Sequence, residues 1–333
     1  MNSLVLIVML IFLGNVQGEF PINATVAQDG SGNFNQISDA LSGAPTNSQL
    51  RYTIKIKAGT YHEYLHIYPN QTNLAFIGDG IGATIITGNR SKSSGFDTLR
   101  SATVAVEGEN FTAKYITFEN SAGADSGQAV ALLSSSNFSA FYSCAFLGYQ
   151  DTLYMFKGIQ FYRECDMYGT VDFIFGSAKA VIQKCNIYAR KPPPGGGNVI
   201  TAQGRSSLAE NNGFSIHNCS IKAASDFNSR MGVKTYLGRP WGNYATVVVM
   251  QCTIDDLIDP EGWLSWGDEK LSTLFYREYQ NWGAGAGTSR RVKWKGYNAT
   301  NSANEVGGFT VRVFIGGDTW LPERGIPYDP DLL

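Results

Sequence analysis

Residues 141–187 read FYSCAFLGYQDTLYMFKGIQFYRECDMYGTVDFIFGSAKAVIQKCNI. One phrase recurs in this stretch as FYSCAF (141–146), YRECDM (162–167) and IQKCNI (182–187). It returns as IHNCSI (216–221) and VMQCTI (249–254). Each copy runs from apolar or mixed residues to a cysteine, any residue, and then an apolar one. The cysteines, Cys144, Cys165, Cys185, Cys219 and Cys252, follow one another at 21, 20, 34 and 33 residues. A unit of about 20 residues with occasional loop insertions suits one coil of a β-solenoid. The flanking runs agree: Val, Ile, Phe, Tyr and Thr in short blocks, broken by Gly, Asn, Asp and Ser. A helix is predicted only near residues 35–42 and towards the C-terminus.

Neighbouring coils of such a stack lie about 4.8 Å apart, so residues one period apart sit side by side on one face. Disulfide Cα separations run about 4.4–6.8 Å, which lets Cys165 bridge either Cys144 or Cys185; the repeat leaves both open. The same rule acts on polar residues. Asp151, in GYQDTLY, and Asp172, in GTVDFIFG, are 21 residues apart. Gln128 precedes Gln150 by 22. Three coils therefore present Gln128, then Gln150 with Asp151, then Asp172. Two stacked carboxylates cannot easily both stay ionised, and repulsion leaves a neutral acid beside an ionised base or nucleophile. Amides beside them can donate to a developing oxyanion. The set suits acyl transfer by a carboxylate. Asp172 is followed by Phe-Ile-Phe, which reads as a strand rather than a turn.

Composition narrows the class. The chain has 333 residues, 43% hydrophobic and 16% charged, with net charge −2. That describes a globular chain with no electrostatic case for nucleic acid or a membrane surface. Leu4–Leu13 is an unbroken apolar run, too short to span a bilayer, and reads with Val16-Gln17-Gly18 as a cleaved secretory signal over residues 1–18. The mature part, 19–333, reads as a single domain. Sequons begin at Asn23, Asn70, Asn89, Asn110, Asn137, Asn218 and Asn298, as in an exported glycoprotein.

Rival chemistries lack parts. There is no G-x-S-x-G elbow, and the three histidines are His62, His66 and His217. The first two read as strand and loop residues rather than a metal pair. Gly283-Ala-Gly-Ala-Gly287 lacks the ending of a phosphate loop.

GTYHE (59–63), QAVAL (128–132), YQDTLY (149–154), DFIFG (172–176) and LGRPW (237–241) resemble, in order, the five signature segments of pectin methylesterases. TAQGR (201–205), YREY (276–279), RVKW (291–294) and FIGGDTWL (314–321) are similar too. The resemblance implies an all-β fold, a right-handed single-stranded parallel β-helix. It also implies roles. Asp172 matches the nucleophile and Asp151 the acid/base. Gln150 matches the oxyanion stabiliser, and Gln128 a second amide. Arg239 matches the arginine that pairs with the nucleophile, Trp241 an aromatic that stacks on sugar, and Thr98 a substrate contact. Leu99 stands where the family usually has Phe. Cys165 and Cys185 match the family's disulfide pair. Neither metal nor cofactor is implied. The chain reads as a short form, without an inhibitor-like pro-region before Ala24.

The activity expected is hydrolysis of methyl esters of homogalacturonan to pectate and methanol, by a secreted, cell-wall monomer that a proteinaceous inhibitor could bind. The alternatives are a β-helix polysaccharide depolymerase or an inactive wall-binding homologue.

Overall fold

The computed structural model describes residues 20–228, 232–267 and 271–333. The expected signal, 1–18, lies outside the described residues. Among them, strands form three sheets of eleven, seven and eight strands, and every pairing between successive strands is parallel. One coil contributes one strand to each sheet. The coil of the cysteine phrase runs Leu153–Lys157, Ile159–Arg163 and Asp166–Gly169, and the next coil starts at Ile174–Gly176. The result is a parallel β-helix, wound in the right-handed sense that parallel crossovers take.

The register follows the sequence repeat. Phe141 pairs with Tyr162, Tyr162 with Ile182, Ile182 with Ile216 and Ile216 with Val249. At the other end of the phrase, Phe146, Met167, Ile187, Ile221 and Ile254 pair in turn. These side chains point inward and are buried. Stacking like on like puts the Phe141 and Tyr162 rings 4.9 Å apart and nearly parallel. Pairing of this kind stabilises each coil against the next.

Both ends of the core are closed. The helix Ile37–Ser42 covers the N-terminal end, and the Glu63 carboxylate accepts from the backbone N–H groups of Ile37 and Ser38, both at 2.8 Å. An anion at a helix start is favourable. At the other end Glu278 enters the core row and meets Arg291 at 2.9 Å, with Trp263 and Tyr297 donating to it. The C-terminal region, with the short helices Ala303–Val306 and Val311–Ile315, lies on the outside. Phe314, Trp320 and Leu321 cover Ala140, Phe161 and Val181 of the eleven-stranded sheet.

The cysteines form a ladder at the corner between the eleven- and eight-stranded sheets. The residue before each one, namely Ser143, Glu164, Lys184, Asn218 and Gln251, has φ between 49° and 54°. This left-handed step turns the chain and leaves the cysteine N–H without a sheet partner. Cys165 N–H donates to Cys185 Sγ (3.3 Å), Cys185 N–H to Cys219 Sγ (3.4 Å), and Cys219 N–H to Cys252 Sγ (3.3 Å). Cys252 N–H ends the series on Asn281 Oδ1 at 2.9 Å. The thiols in turn donate to carbonyls, as Cys185 does to Tyr162 and Gln183. All five cysteines are buried free thiols in this structure, so the Cys165–Cys185 bridge implied by the family resemblance is not shown. The two residues stack one coil apart, with Cys185 Sγ accepting from the Cys165 N–H.

Candidate active site

The seven-stranded sheet carries one outward row across its coils: His66, Ala105, Leu133, Tyr154, Phe175, Ala202 and Arg239 pair in succession. The corner that feeds this sheet holds Asp151 and Asp172. Each lies two residues before a paired strand residue, Leu153 and Ile174, so the two carboxyls stack as the period requires. Both residues take left-handed conformations, at φ 62° and 52°. Asp tolerates that region better than most residues, at a cost of about 1–3 kcal/mol. Asp172 therefore stands on a bend before the strand Ile174–Gly176, not inside a strand as its Phe-Ile-Phe context suggested. The stacking prediction survives because it depends on the period, not on the conformation.

Asp172 is 6% exposed and Asp151 8%. Arg239 grips Asp172 with both prongs, Nε to Oδ1 at 2.8 Å and Nη2 to Oδ2 at 2.5 Å. Such a bidentate pair favours the ionised carboxylate. Arg239 projects from the strand Thr235–Pro240, two coils beyond Asp172, and the small Ala202 lies between them in the row. The Trp266 ring lies against the guanidinium, 4.0 Å from its carbon.

The two carboxyls sit in different electrostatic surroundings. Burial pushes Asp172 above the usual carboxylate range, and the hydrogen bonds and charge of Arg239 oppose it. Burial pushes Asp151 well above that range. The charge of Asp172 pushes it further, against the weaker pull of Arg239 and Lys92. Among the described residues no protein group hydrogen-bonds the Asp151 carboxyl. The site thus sets a carboxyl pushed strongly towards its neutral form beside one clamped by an arginine, the kind of asymmetry that separates acid from nucleophile in paired-carboxylate sites.

A cleft of about 360 Å³ is lined by Thr98, Gln128, Gln150, Asp151, Asp172, Arg239 and Trp241, so every site residue singled out in the sequence reaches one cavity. Gln128 and Gln150 are half-buried, and among the described residues neither side-chain amide has a protein partner. Their backbones belong to adjacent coils, with Ala129 N–H donating to the Gln150 carbonyl at 3.2 Å. Trp241 is 39% exposed at the rim. Gly204 makes room for it, since a Cβ there would stand 2.8 Å from the indole. Leu99 is half exposed and lines a neighbouring cavity with Phe96.

Four further lining residues went unnoticed in the sequence: Tyr154, Phe175, Ala202 and Trp266. Tyr154 and Phe175 stack at 4.1 Å inside the signature segments and were legible as outward-facing strand residues. Trp266 lies in a loop with no repeat phrase, and nothing local marks it. His62 and His66 fall on different strands, Gly59–His62 and Leu65–Ile67, in different sheets. His66 pairs with Glu107 at 2.8 Å. Among the described residues no cluster of His, Cys, Asp or Glu could hold a metal ion.

Comparison with known proteins matches this architecture. The pectinesterase family model covers residues 23–318. Pectinesterase 2 of Citrus sinensis is 52% identical over 312 residues, 93% of this chain and 61% of its own length. Pectinesterase/pectinesterase inhibitor PPE8B of Prunus persica is 51% identical over 93% of this chain and 60% of its own. The chain thus spans about three fifths of the length of these curated relatives. Among solved structures, pectin methylesterase from carrot superposes with a TM-score of 0.93 at 46% identity, covering 95% of this chain and 99% of that one. Pectin methylesterase from Aspergillus niger gives 0.77 at 33% identity, covering 89% and 95%. On the match of the family model to nearly the whole described chain, this protein belongs to the pectinesterase family.

Proposed function

We propose that this protein hydrolyses methyl esters of homogalacturonan, releasing methanol and leaving pectate. The observation that carries the reading is the unequal carboxyl pair: Asp172 gripped by the Arg239 fork, and Asp151 buried with no hydrogen-bond partner for its carboxyl among the described residues.

In the proposed reaction an Asp172 oxygen attacks the ester carbonyl carbon. The carbonyl oxygen takes up the electron pair, and the amides of Gln150 and Gln128 are placed to donate to it. The intermediate collapses, the bond to the methoxy oxygen breaks, and Asp151 gives that oxygen its proton, so methanol leaves. An anhydride now joins Asp172 to the galacturonate. Asp151, ionised by the first step, takes a proton from water as the hydroxyl oxygen attacks the galacturonate carbonyl. The anhydride opens, Asp172 leaves as a carboxylate, and Asp151 is again protonated. No step requires a metal or cofactor. Trp241, at the rim, offers a face for a sugar ring, and Thr98 a hydroxyl.

The same reading includes export to the cell wall with removal of residues 1–18, a catalytic domain over 19–333, and function as a monomer. A proteinaceous pectinesterase inhibitor is its protein partner. Glycans belong on exposed sequons such as Asn70; the Asn110 side chain is engaged by buried Arg324 at 2.9 Å. The decisive experiment measures methanol and new reducing ends from methyl-esterified pectin. Methanol without chain cleavage supports the reading. Reducing ends would identify a depolymerase, and neither product an inactive homologue.

A further inference from the structure

The carboxyl of Asp151 has no hydrogen-bond partner among the described residues, so its position is set by the backbone of the turn Gly148–Thr152. Part of that turn is held by the adjoining coil. Asp151 N–H donates to the Val171 carbonyl at 3.1 Å, and Thr170 N–H to the Tyr149 carbonyl at 2.9 Å. The preceding coil holds it too, Ala129 N–H donating to the Gln150 carbonyl at 3.2 Å and Ala131 N–H to the Thr152 carbonyl at 2.9 Å, and Thr152 Oγ1 donates to the Tyr149 carbonyl at 3.1 Å. The Gly148–Tyr149 end gains a further hold from Arg190, which follows the strand Asn186–Ala189. Arg190 Nη1 donates to the Gly148 carbonyl at 3.1 Å. Its guanidinium lies over the Tyr149 ring, 3.9 Å from the centroid. Its Nε donates to Asp226 Oδ2 at 3.0 Å. Arg190 and Asp226 line a separate groove of about 410 Å³ that contains none of the active-site residues.

We propose that Arg190, oriented by Asp226, is a positioning residue that clamps the Gly148–Tyr149 backbone from behind and thereby fixes Asp151 for proton transfer. This rests on the reading of Asp151 as the acid/base. One guanidinium meets the carbonyl, the carboxylate and the ring together because its donors and its flat face point in different directions. An ammonium is a point charge and can satisfy only part of that set. Displacing a reacting group by about 1 Å can cost about 10²-fold in rate. Slackening the turn also admits water to Asp151, whose surroundings otherwise contain Asp172, Arg239, Lys92 and Tyr154. Loss of burial lowers its proton affinity.

The test compares kcat, KM and the alkaline limb of the kcat–pH profile for the parent, Arg190→Ala, Arg190→Lys and Asp226→Asn on methyl-esterified pectin. Arg190→Ala is expected to lower kcat about 10- to 100-fold with KM within about threefold. Its alkaline limb moves to lower pH, because the acid loses its proton sooner. Arg190→Lys recovers part of the rate, and Asp226→Asn moves both readouts the same way by less. The proposal is overturned if Arg190→Ala keeps its rate and limb, or loses rate only in proportion to folded protein with the limb unmoved. Should Arg190→Ala not fold, an unmoved limb in Asp226→Asn overturns it equally. Asp151→Asn separates the two readings: activity there would remove the acid/base assignment itself, whereas an inactive Asp151→Asn beside an unaltered Arg190→Ala removes only the clamp.

Discussion

At the cysteine corner the residue before each cysteine takes a left-handed step, as Glu164 does at φ 54°; at the aspartate corner Asp151 and Asp172 take it themselves. Both corners turn the chain from one sheet to the next; the step of the first recurs in five coils, and that of the second in two successive coils. At the first, each cysteine N–H from Cys165 onward meets a side chain of the following coil, and each thiol meets carbonyls. At the second the aspartates are buried too, yet the Asp151 carboxyl and the half-buried amides of Gln128 and Gln150 have no protein partner among the described residues. Buried polar groups cost free energy unless hydrogen-bonded. The cysteine corner is therefore a structural device, and the aspartate corner holds unsatisfied groups that a substrate can engage.

The contrast breaks first, and most widely, at Asp172. Asp172→Asn keeps the shape and removes the proposed nucleophile. We expect kcat to fall at least about 10³-fold, with pectin binding largely retained. Turnover within tenfold of the parent would mean that this corner is structural too.

The reverse experiment is Asn281→Leu, which orphans the Cys252 N–H and the Val249 carbonyl that Asn281 now serves. A loss of about 1–3 kcal/mol in denaturant unfolding is expected, with kcat per folded molecule unchanged. A selective loss of kcat would show that the corners are coupled.

A smaller effect is expected at Trp241. Its removal as Trp241→Ala should reduce kcat/KM about tenfold, about 1–2 kcal/mol, with the melting temperature preserved, as befits a ring at the rim. A lower melting temperature with normal kcat/KM would reassign it to packing.

The smallest effect is on stability against pH. A carboxyl whose folded pKa is raised binds its proton more tightly when folded, so it subtracts stability as pH rises from its unfolded value of about 3.8 upward. Asp151→Asn removes that dependence. Its melting temperature should gain on the parent's by a few degrees as pH rises from 4 towards neutrality, then level off. A gap that stays constant with pH would mean that Asp151 is not held protonated by the fold.

Much of this was legible before any coordinates. The hexapeptide phrase predicted the register from Phe141 to Ile254, and the 21-residue spacing brought Asp151 onto Asp172. Gln128, Gln150, Arg239, Trp241 and Thr98 came from the family resemblance or the period, and they meet in one cleft. One reading failed locally. Asp172 was placed in a strand because its apolar neighbours were weighed without the corner before them. The Cys165–Cys185 bridge rested on the family resemblance, because the spacing brings Cys165 equally near Cys144, and the thiols are free in this structure.

The sequence by itself determined the coil, its register and the pairing of the carboxyls, because a solenoid repeats by simple translation and spacing along the chain becomes adjacency in space. Only the tertiary structure decided which thiols stay free, which loop lays Trp266 on Arg239, and that Arg190 stands behind the acid's turn. The loop of Trp266 carries no repeat phrase, and a period along the chain does not say which way a thiol or the Arg190 side chain points. The raised proton affinity of Asp151 likewise depends on burial by every coil around it, which no single stretch of residues encodes.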